Sequence, residues 1–308
     1  MESNLDLSRF SYSKVSSYIT CPRKFYLHYC LGLSPKRKSK ALAVGAAMAI
    51  ALSEYRKTGD PDDGIKGIIS AWKSSEADCL DFSREIDPKR SVERLCDIFL
   101  NYCDHYPDEM KMMLQPEVTF QLPIKVYGKD IIFDGRIDGC ILDGGSPSLI
   151  EDKTTSLLGD SFFREKGISF QILWYLYVAR EMGFFSIKGK SSTPKCIING
   201  IRIFEPPKKQ TATPSFQREV TIKTNKTLDE GKESLIQWIE TIYRSSEWGI
   251  WPSNNERCMD YGGCEFYPLK GIDEDSNMWN RIIAENFIVK EMKDGETEDA
   301  KKEISISC

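Results

Sequence analysis

The spacing of apolar residues divides the chain into segments of different period. In ALAVGAAMAIALSEY, Val44, Met48, Leu52 and Tyr55 recur every three or four residues, which predicts a helix over Ala41 to Tyr55 with one buried face. Before it, SYSKVSSYITCPRKFYLHYCL reads as two short helices broken at Cys21-Pro22, with proline at a first helical position and Tyr18, Phe25, Tyr26 and Tyr29 turned inward. Two further helical stretches, Ile65 to Ala77 and Ser91 to Met113, complete a helix-rich first third. The period then changes. VTFQLPIKVYGKDIIFDGRIDGCILDGG and SLIEDKTTS read as strands, joined by turn chemistry in the Asp-Gly-Gly-Ser-Pro-Ser run at 143–148. One long helix is predicted over Phe162 to Met182, strands at KCIINGIRIF and FQREVTIK, and a last helix over Thr227 to Glu247. This order is that of an α/β fold in which helices cover a central mixed sheet.

At 308 residues and 41% apolar side chains the chain can bury one substantial core. The expected layout is a helix-rich part over 1–114 that contains Cys21, a core sheet over 115–226, a C-terminal helix and cysteine segment over 227–270, and an acidic peripheral tail over 271–308. No apolar run approaches the length of a membrane helix, and MESNLDLSRF lacks a secretory pattern, so a cytoplasmic protein without membrane partners is expected. The net charge of -4 is uneven: Ile272 to Cys308 holds ten acidic and five basic residues, which leaves the first 271 residues at +1. A near-neutral body can hold a basic channel, and KRKSK at Lys36 to Lys40 and the pair Lys208 and Lys209 are candidates for phosphate contact or simply solvated loop lysines.

The chemistry concentrates after the period change. In a strand alternate side chains share a face, so Glu151 and Lys153 point one way and Asp152 the other. If the strands on either side of the turn pair as a hairpin, Asp138 reaches the same point as Glu151. Two carboxylates and one ammonium then converge. Hydrolysis of a phosphodiester needs such a set: hard oxygen ligands for magnesium or manganese, and a group to orient or deprotonate water or to stabilise the transition state. Asp134 and Asp152 fall outside this set and are expected to be solvated.

The run GRIDG…EDKT, followed by Gln171 and Tyr175 in SFQILWYLYVAR, resembles the second and third motifs and the Gln-x-x-x-Tyr helix of RecB-like PD-(D/E)xK nucleases. SYSKVSSYITCPRKFYLHY resembles the Cys-Pro opening of that branch, and VGAAMAIALSEY its first-motif helix, so the likeness runs from about Ser11 to Lys270. It implies a restriction-endonuclease-like core and a nuclease acting on DNA, single-stranded or at free ends, in recombination, repair or replication, with a virus or mobile element as a natural home. It also implies catalytic roles for Asp138, Glu151, Lys153, Gln171 and Tyr175, of which Asp138 and Glu151 hold Mg2+ or Mn2+. Gln171 and Tyr175, one helical turn apart, would contact DNA or the Lys153 region; partial burial with a hydrogen bond is the plainer alternative. Trp174 could stack a base or belong to the core.

Two positions depart from the family pattern. Where the first motif places a metal-binding histidine, four residues after Gly45, this chain has Ala49, and its two histidines, His28 and His105, lie elsewhere. Activity is then lowered, altered in metal preference, or lost, which leaves open a protein that binds DNA or a partner on a nuclease scaffold. Cys21, Cys258 and Cys264 resemble three ligands of a 4Fe-4S cluster, but Lys270 stands where the fourth cysteine is expected. An incomplete cluster, a zinc site or free thiols are the alternatives. Of the other cysteines, Cys30, Cys79, Cys96, Cys103, Cys140 and Cys196 lie in apolar patterns and are expected in the core.

Overall fold

The structure is a computed structural model, and it describes residues 5–36, 40–78, 91–187, 190–203, 215–260 and 263–290. Lysines 38, 208 and 209, Cys79 and the chain beyond Lys290 lie outside the described residues. In chain order the elements are β1 (Arg9–Ser11), α1 (Tyr12–Thr20), α2 (Pro22–Phe25), β2 (Leu33–Pro35), α3 (Lys40–Thr58), α4 (Pro61–Asp78), α5 (Val92–His105) and α6 (Glu109–Met112). There follow β3 (Met113–Val126), β4 (Lys129–Asp143), β5 (Ser146–Thr155), α7 (Asp160–Gly167), α8 (Phe170–Glu181), β6 (Ser186–Ile187), β7 (Lys190–Ser191), β8 (Lys195–Arg202), β9 (Phe216–Ile222), α9 (Asn225–Trp248), α10 (Asn277–Asn286) and β10 (Phe287–Val289). Among the described residues no helix is long and apolar enough to cross a membrane.

The chain forms two compact units assembled from separate stretches. One unit gathers residues up to Pro35, Gln121–Gly135 and Trp238 onwards; the other gathers Lys36–Phe120 and Arg136–Gln237. In the first, Cys21 ends α1 in extended backbone and Pro22 starts α2 at a position whose N–H would be unbonded anyway. Phe25 stacks on Trp251. The stretch after Gly271 is no loose tail as far as Lys290. Ser276 caps α10, β10 pairs antiparallel with β2, and Trp279 is fully buried with Leu27, Leu33, Phe266, Leu269 and Phe287. In the apolar stretch from Trp279 to Val289, Trp279 and Phe287 are thus buried, in part against residues about 250 positions away in the chain.

In the second unit the C-terminal half of β4 pairs antiparallel with β5, β5 parallel with β8, and β8 antiparallel with β9, giving a mixed sheet. Gly144 and Gly145 turn the β4–β5 hairpin with positive φ of 56° and 79°, which a side chain would resist. One sheet face carries Ile201, Ile203 and Phe216 against α3 and α5, where the predicted stripe of Val44, Met48, Leu52 and Tyr55 is buried. The opposite face carries Ile198 against Leu158 and Phe163. The long helix expected over Phe162 to Met182 is two helices: α7 ends at Gly167, and the Ser169 side chain caps α8 by accepting the N–H of Ile172.

Candidate active site

Strand β5 positions the site. The hairpin register sets Gly139 opposite Ile150, so Asp138 and Glu151 adjoin at the end of the paired stretch. Asp138 Oδ2 accepts the backbone N–H of Asp152 at 2.8 Å, which ties its carboxylate to the strand that carries Glu151. Lys153 Nζ donates to Glu151 Oε1 at 2.6 Å and to Gln171 Oε1 at 2.9 Å. Asp138, Glu151, Lys153 and Gln171 are therefore brought together. Tyr175, one turn beyond Gln171 on α8, is buried with its ring against the edge of Phe120 at 5.6 Å. Trp174 is core: it is fully buried, stacks on Phe170, and its indole N–H donates to Gly231 O at 3.0 Å.

Electrostatics at this point are unfavourable without a cation. Burial, then the charges of Glu151 and Asp152, push Asp138 well above the usual carboxylate range. Burial also raises Glu151, against the opposing pull of Lys153. Two buried carboxylates, one raised further by the other's charge, are a donor set whose charge a divalent ion would offset. Among the described residues no three His, Cys, Asp or Glu side chains gather to hold a metal, so a hard ion held by these two carboxylates would complete its shell with water.

Helix α3 approaches β5 closely: a Cβ on Gly45 would come within 3.2 Å of Thr154 Oγ1. Ala49, one turn on, lines a cavity of about 220 Å³ with Gly45, Met48, Leu52, Asp152, Lys153, Thr154 and Ile201. The slot that departs from the family pattern therefore opens onto the strand carrying the candidate lysine, with a methyl group in place of a donor.

Asp152 is not solvated as expected. Its carboxylate is buried and gripped by Arg56, with Nη1 donating to Oδ2 at 2.5 Å and Nη2 to Oδ1 at 2.9 Å. Asn199 Nδ2 adds a bond at 2.6 Å. Arg56 Nε bonds Glu109 at 2.7 Å, Tyr102 O–H donates to Glu109 at 2.6 Å, and Arg218 bonds Tyr102, Asn199 and Glu109. Burial pushes Asp152 up, but Arg56 and Asn199 prevail and hold its carboxyl below the ordinary value. Two arginines thus balance two carboxylates in the interior. Sequence reading missed this network; its one local signal was Arg56, which continues the Met48–Leu52 spacing of an otherwise apolar stripe. Asp134, the other acid expected in solvent, is buried and paired with Arg9 at 2.8 Å in the first unit.

The structure gives the expected iron-sulfur site no support. Cys21, Cys258 and Cys264 are free thiols and do not gather as a ligand group. Cys21 Sγ accepts the N–H of Asn254 at 3.3 Å, and Lys270 Nζ, standing where a fourth cysteine was expected, donates to Cys258 Sγ at 3.5 Å.

A mixed sheet with helices on both faces and a carboxylate-lysine hairpin at its centre defines a nuclease fold. The sequence model of the PD-(D/E)XK nuclease superfamily matches residues 9–269, and the chain belongs to that superfamily. Its members hydrolyse phosphodiester bonds and generally use divalent metals. Among solved structures, a candidate exonuclease from Eubacterium rectale shares 15% identity, with 82% of this chain and 86% of that chain covered at a TM-score of 0.52, and supports the fold. SSO0001 also shares 15% identity, over 66% of this chain and 77% of its own, at a TM-score of 0.29. No curated protein matches the sequence.

Proposed function

We propose that this chain is a metal-dependent deoxyribonuclease of the RecB-like branch, acting as an exonuclease on single strands or free ends of DNA in the cytoplasm. The supporting observation is the meeting of Asp138, Glu151, Lys153 and Gln171 at one point of β5, with the two carboxylates forced toward protonation by burial. Asp138 and Glu151 would hold Mg2+ or Mn2+, which supplies positive charge against the phosphate. Glu151 and Gln171 fix Lys153 Nζ from two sides, so the ammonium is placed to orient a water or to donate to a phosphate oxygen without searching for its position. Tyr175 packs α8 and thereby steadies Gln171.

Ala49 favours a second reading, in which the scaffold binds DNA without cutting it. Cleavage of an end-labelled single-stranded oligonucleotide in Mg2+ or Mn2+ separates them, with Lys153→Ala and Ala49→His as companions. The nuclease reading predicts metal-dependent products from wild type, a fall of at least about 100-fold in Lys153→Ala, and a gain in Ala49→His. Binding with no cleavage above Lys153→Ala would establish the second reading instead.

A further inference from the structure

Arg202 ends β8 on the sheet face that carries Glu151 and Lys153. The parallel register pairs Glu151 with Ile198, Lys153 with Gly200 and Thr155 with Arg202, and alternate residues share a face. Consistent with that parity, Ile198 meets Leu158 and Phe163 on this face, while Ile201 and Ile203 join the core on the other. With strands about 4.8 Å apart and a rise of about 3.3 Å per residue, the Cα atoms of Lys153 and Arg202 lie about 8 Å apart. Arg202 also sits at the carboxyl end of two parallel strands, where α/β sheets receive ligands.

Its guanidinium is poorly satisfied. Arg202 is 6% exposed, and among the described residues Nη2 reaches only Ser215 Oγ at 3.4 Å while Nε and Nη1 have no partner. The same unit satisfies its other interior arginines: Arg56 engages all three nitrogens, and Arg218 bonds Tyr102, Asn199 and Glu109. Two donors left open on the face that carries Glu151 and Lys153 can take an anionic acceptor.

We propose that Arg202 binds a backbone phosphate of the nucleic-acid strand, next to the phosphate that is cleaved. The inference rests on the nuclease reading above and extends it to a residue outside the motifs. The planar fork of an arginine matches two phosphate oxygens, and a phosphate displaced by one step from Lys153 fits the separation of the two residues. Because the cleaved phosphate is served by Asp138, Glu151 and Lys153, Arg202 contributes to holding the strand and not to turnover. Wild-type protein and Arg202→Gln should therefore differ about tenfold in KM for an oligonucleotide and less than about twofold in kcat.

Binding tests this without cleavage. A fluorescein-labelled single-stranded oligonucleotide is titrated with full-length Lys153→Ala protein, alone or combined with Arg202→Gln or Arg202→Lys, from about 50 to about 200 mM salt. The proposal predicts that the Gln variant binds about tenfold more weakly at low salt and that its log-log salt slope falls by about 0.7, one single-strand phosphate contact. The Lys variant should keep the slope and lose affinity several-fold, because it keeps the charge and loses the fork. An unchanged slope in a Gln variant with a lowered Tm would make Arg202 structural and overturn the proposal. If the Gln variant does not fold, the Lys variant decides, since unaltered affinity there overturns it too. Absence of salt-sensitive binding in the Lys153→Ala protein itself would instead remove the nuclease reading, and this proposal with it.

Discussion

The two sides of strand β5 carry neighbouring residues in opposite electrostatic conditions. On one side Glu151 and Lys153 meet Asp138, and both carboxyls are raised above their ordinary values. On the other Asp152 is held by Arg56 and Asn199, and its carboxyl is lowered. One residue of sequence separates an unsatisfied site from a satisfied one. Burial is common to both, so burial alone does not make a site. The difference is whether fixed cations of the protein match the carboxylates, and where they do not, a charge must come from outside.

The largest expected effect breaks the satisfied side. Arg56→Ala leaves the buried carboxylate of Asp152 without its cation, while Glu109 keeps Arg218, and should cost about 3–5 kcal/mol in denaturant unfolding. Replacing the pair together, Arg56→Met with Asp152→Leu, should cost less than Arg56→Ala alone, because no unpaired charge remains at position 152. Equal or greater loss in the double variant would show that the network stabilises by its hydrogen bonds and not by charge balance.

On the other side removing a charge should stabilise. A carboxyl with a raised folded pKa binds its proton more tightly folded than unfolded, so the folded state is favoured below the raised value and loses that advantage as pH climbs from about 4. Asp138→Asn should therefore raise stability by about 1 kcal/mol at neutral pH without metal and flatten this decline. Asp152 has the opposite sign: its contribution is present above the ordinary carboxylate pKa and is lost as pH falls through its lowered folded value. Thermal melts across pH should show Mg2+ or Mn2+ raising the Tm of wild type at pH 7 to 8 and leaving Asp138→Asn nearly unchanged. A smaller effect belongs to Gln171→Ala, which frees Lys153 on one side. About a tenfold fall in kcat with little change in KM is expected from steady-state cleavage.

These residues differ also in how readily the sequence discloses them. Asp138, Glu151 and Lys153 follow from strand alternation across one hairpin, a local rule, and the hairpin forms as the turn residues require. Arg56 and Asp152 lie 96 positions apart, and Asn199 and Arg218 join from later strands, so no local period announces their meeting. The charge of Asp152 read as solvent exposure because its partner was invisible. The same holds for Trp279, whose acidic surroundings suggested a tail while its packing partners Leu27 and Leu33 lie near the other end of the chain. The break between α7 and α8 was locally signalled by Gly167 and Ser169, yet the apolar pattern on either side outweighed it.

Parallel measurement of cleavage and melting in Glu151→Gln and Asp152→Asn tests the contrast across β5 most directly. The account predicts that Glu151→Gln loses at least about 100-fold in metal-dependent cleavage while its Tm holds or rises, and that Asp152→Asn melts several degrees lower while its turnover stays within a few-fold of wild type. Cleavage that survives Glu151→Gln, or that is lost equally in a folded Asp152→Asn, would contradict it.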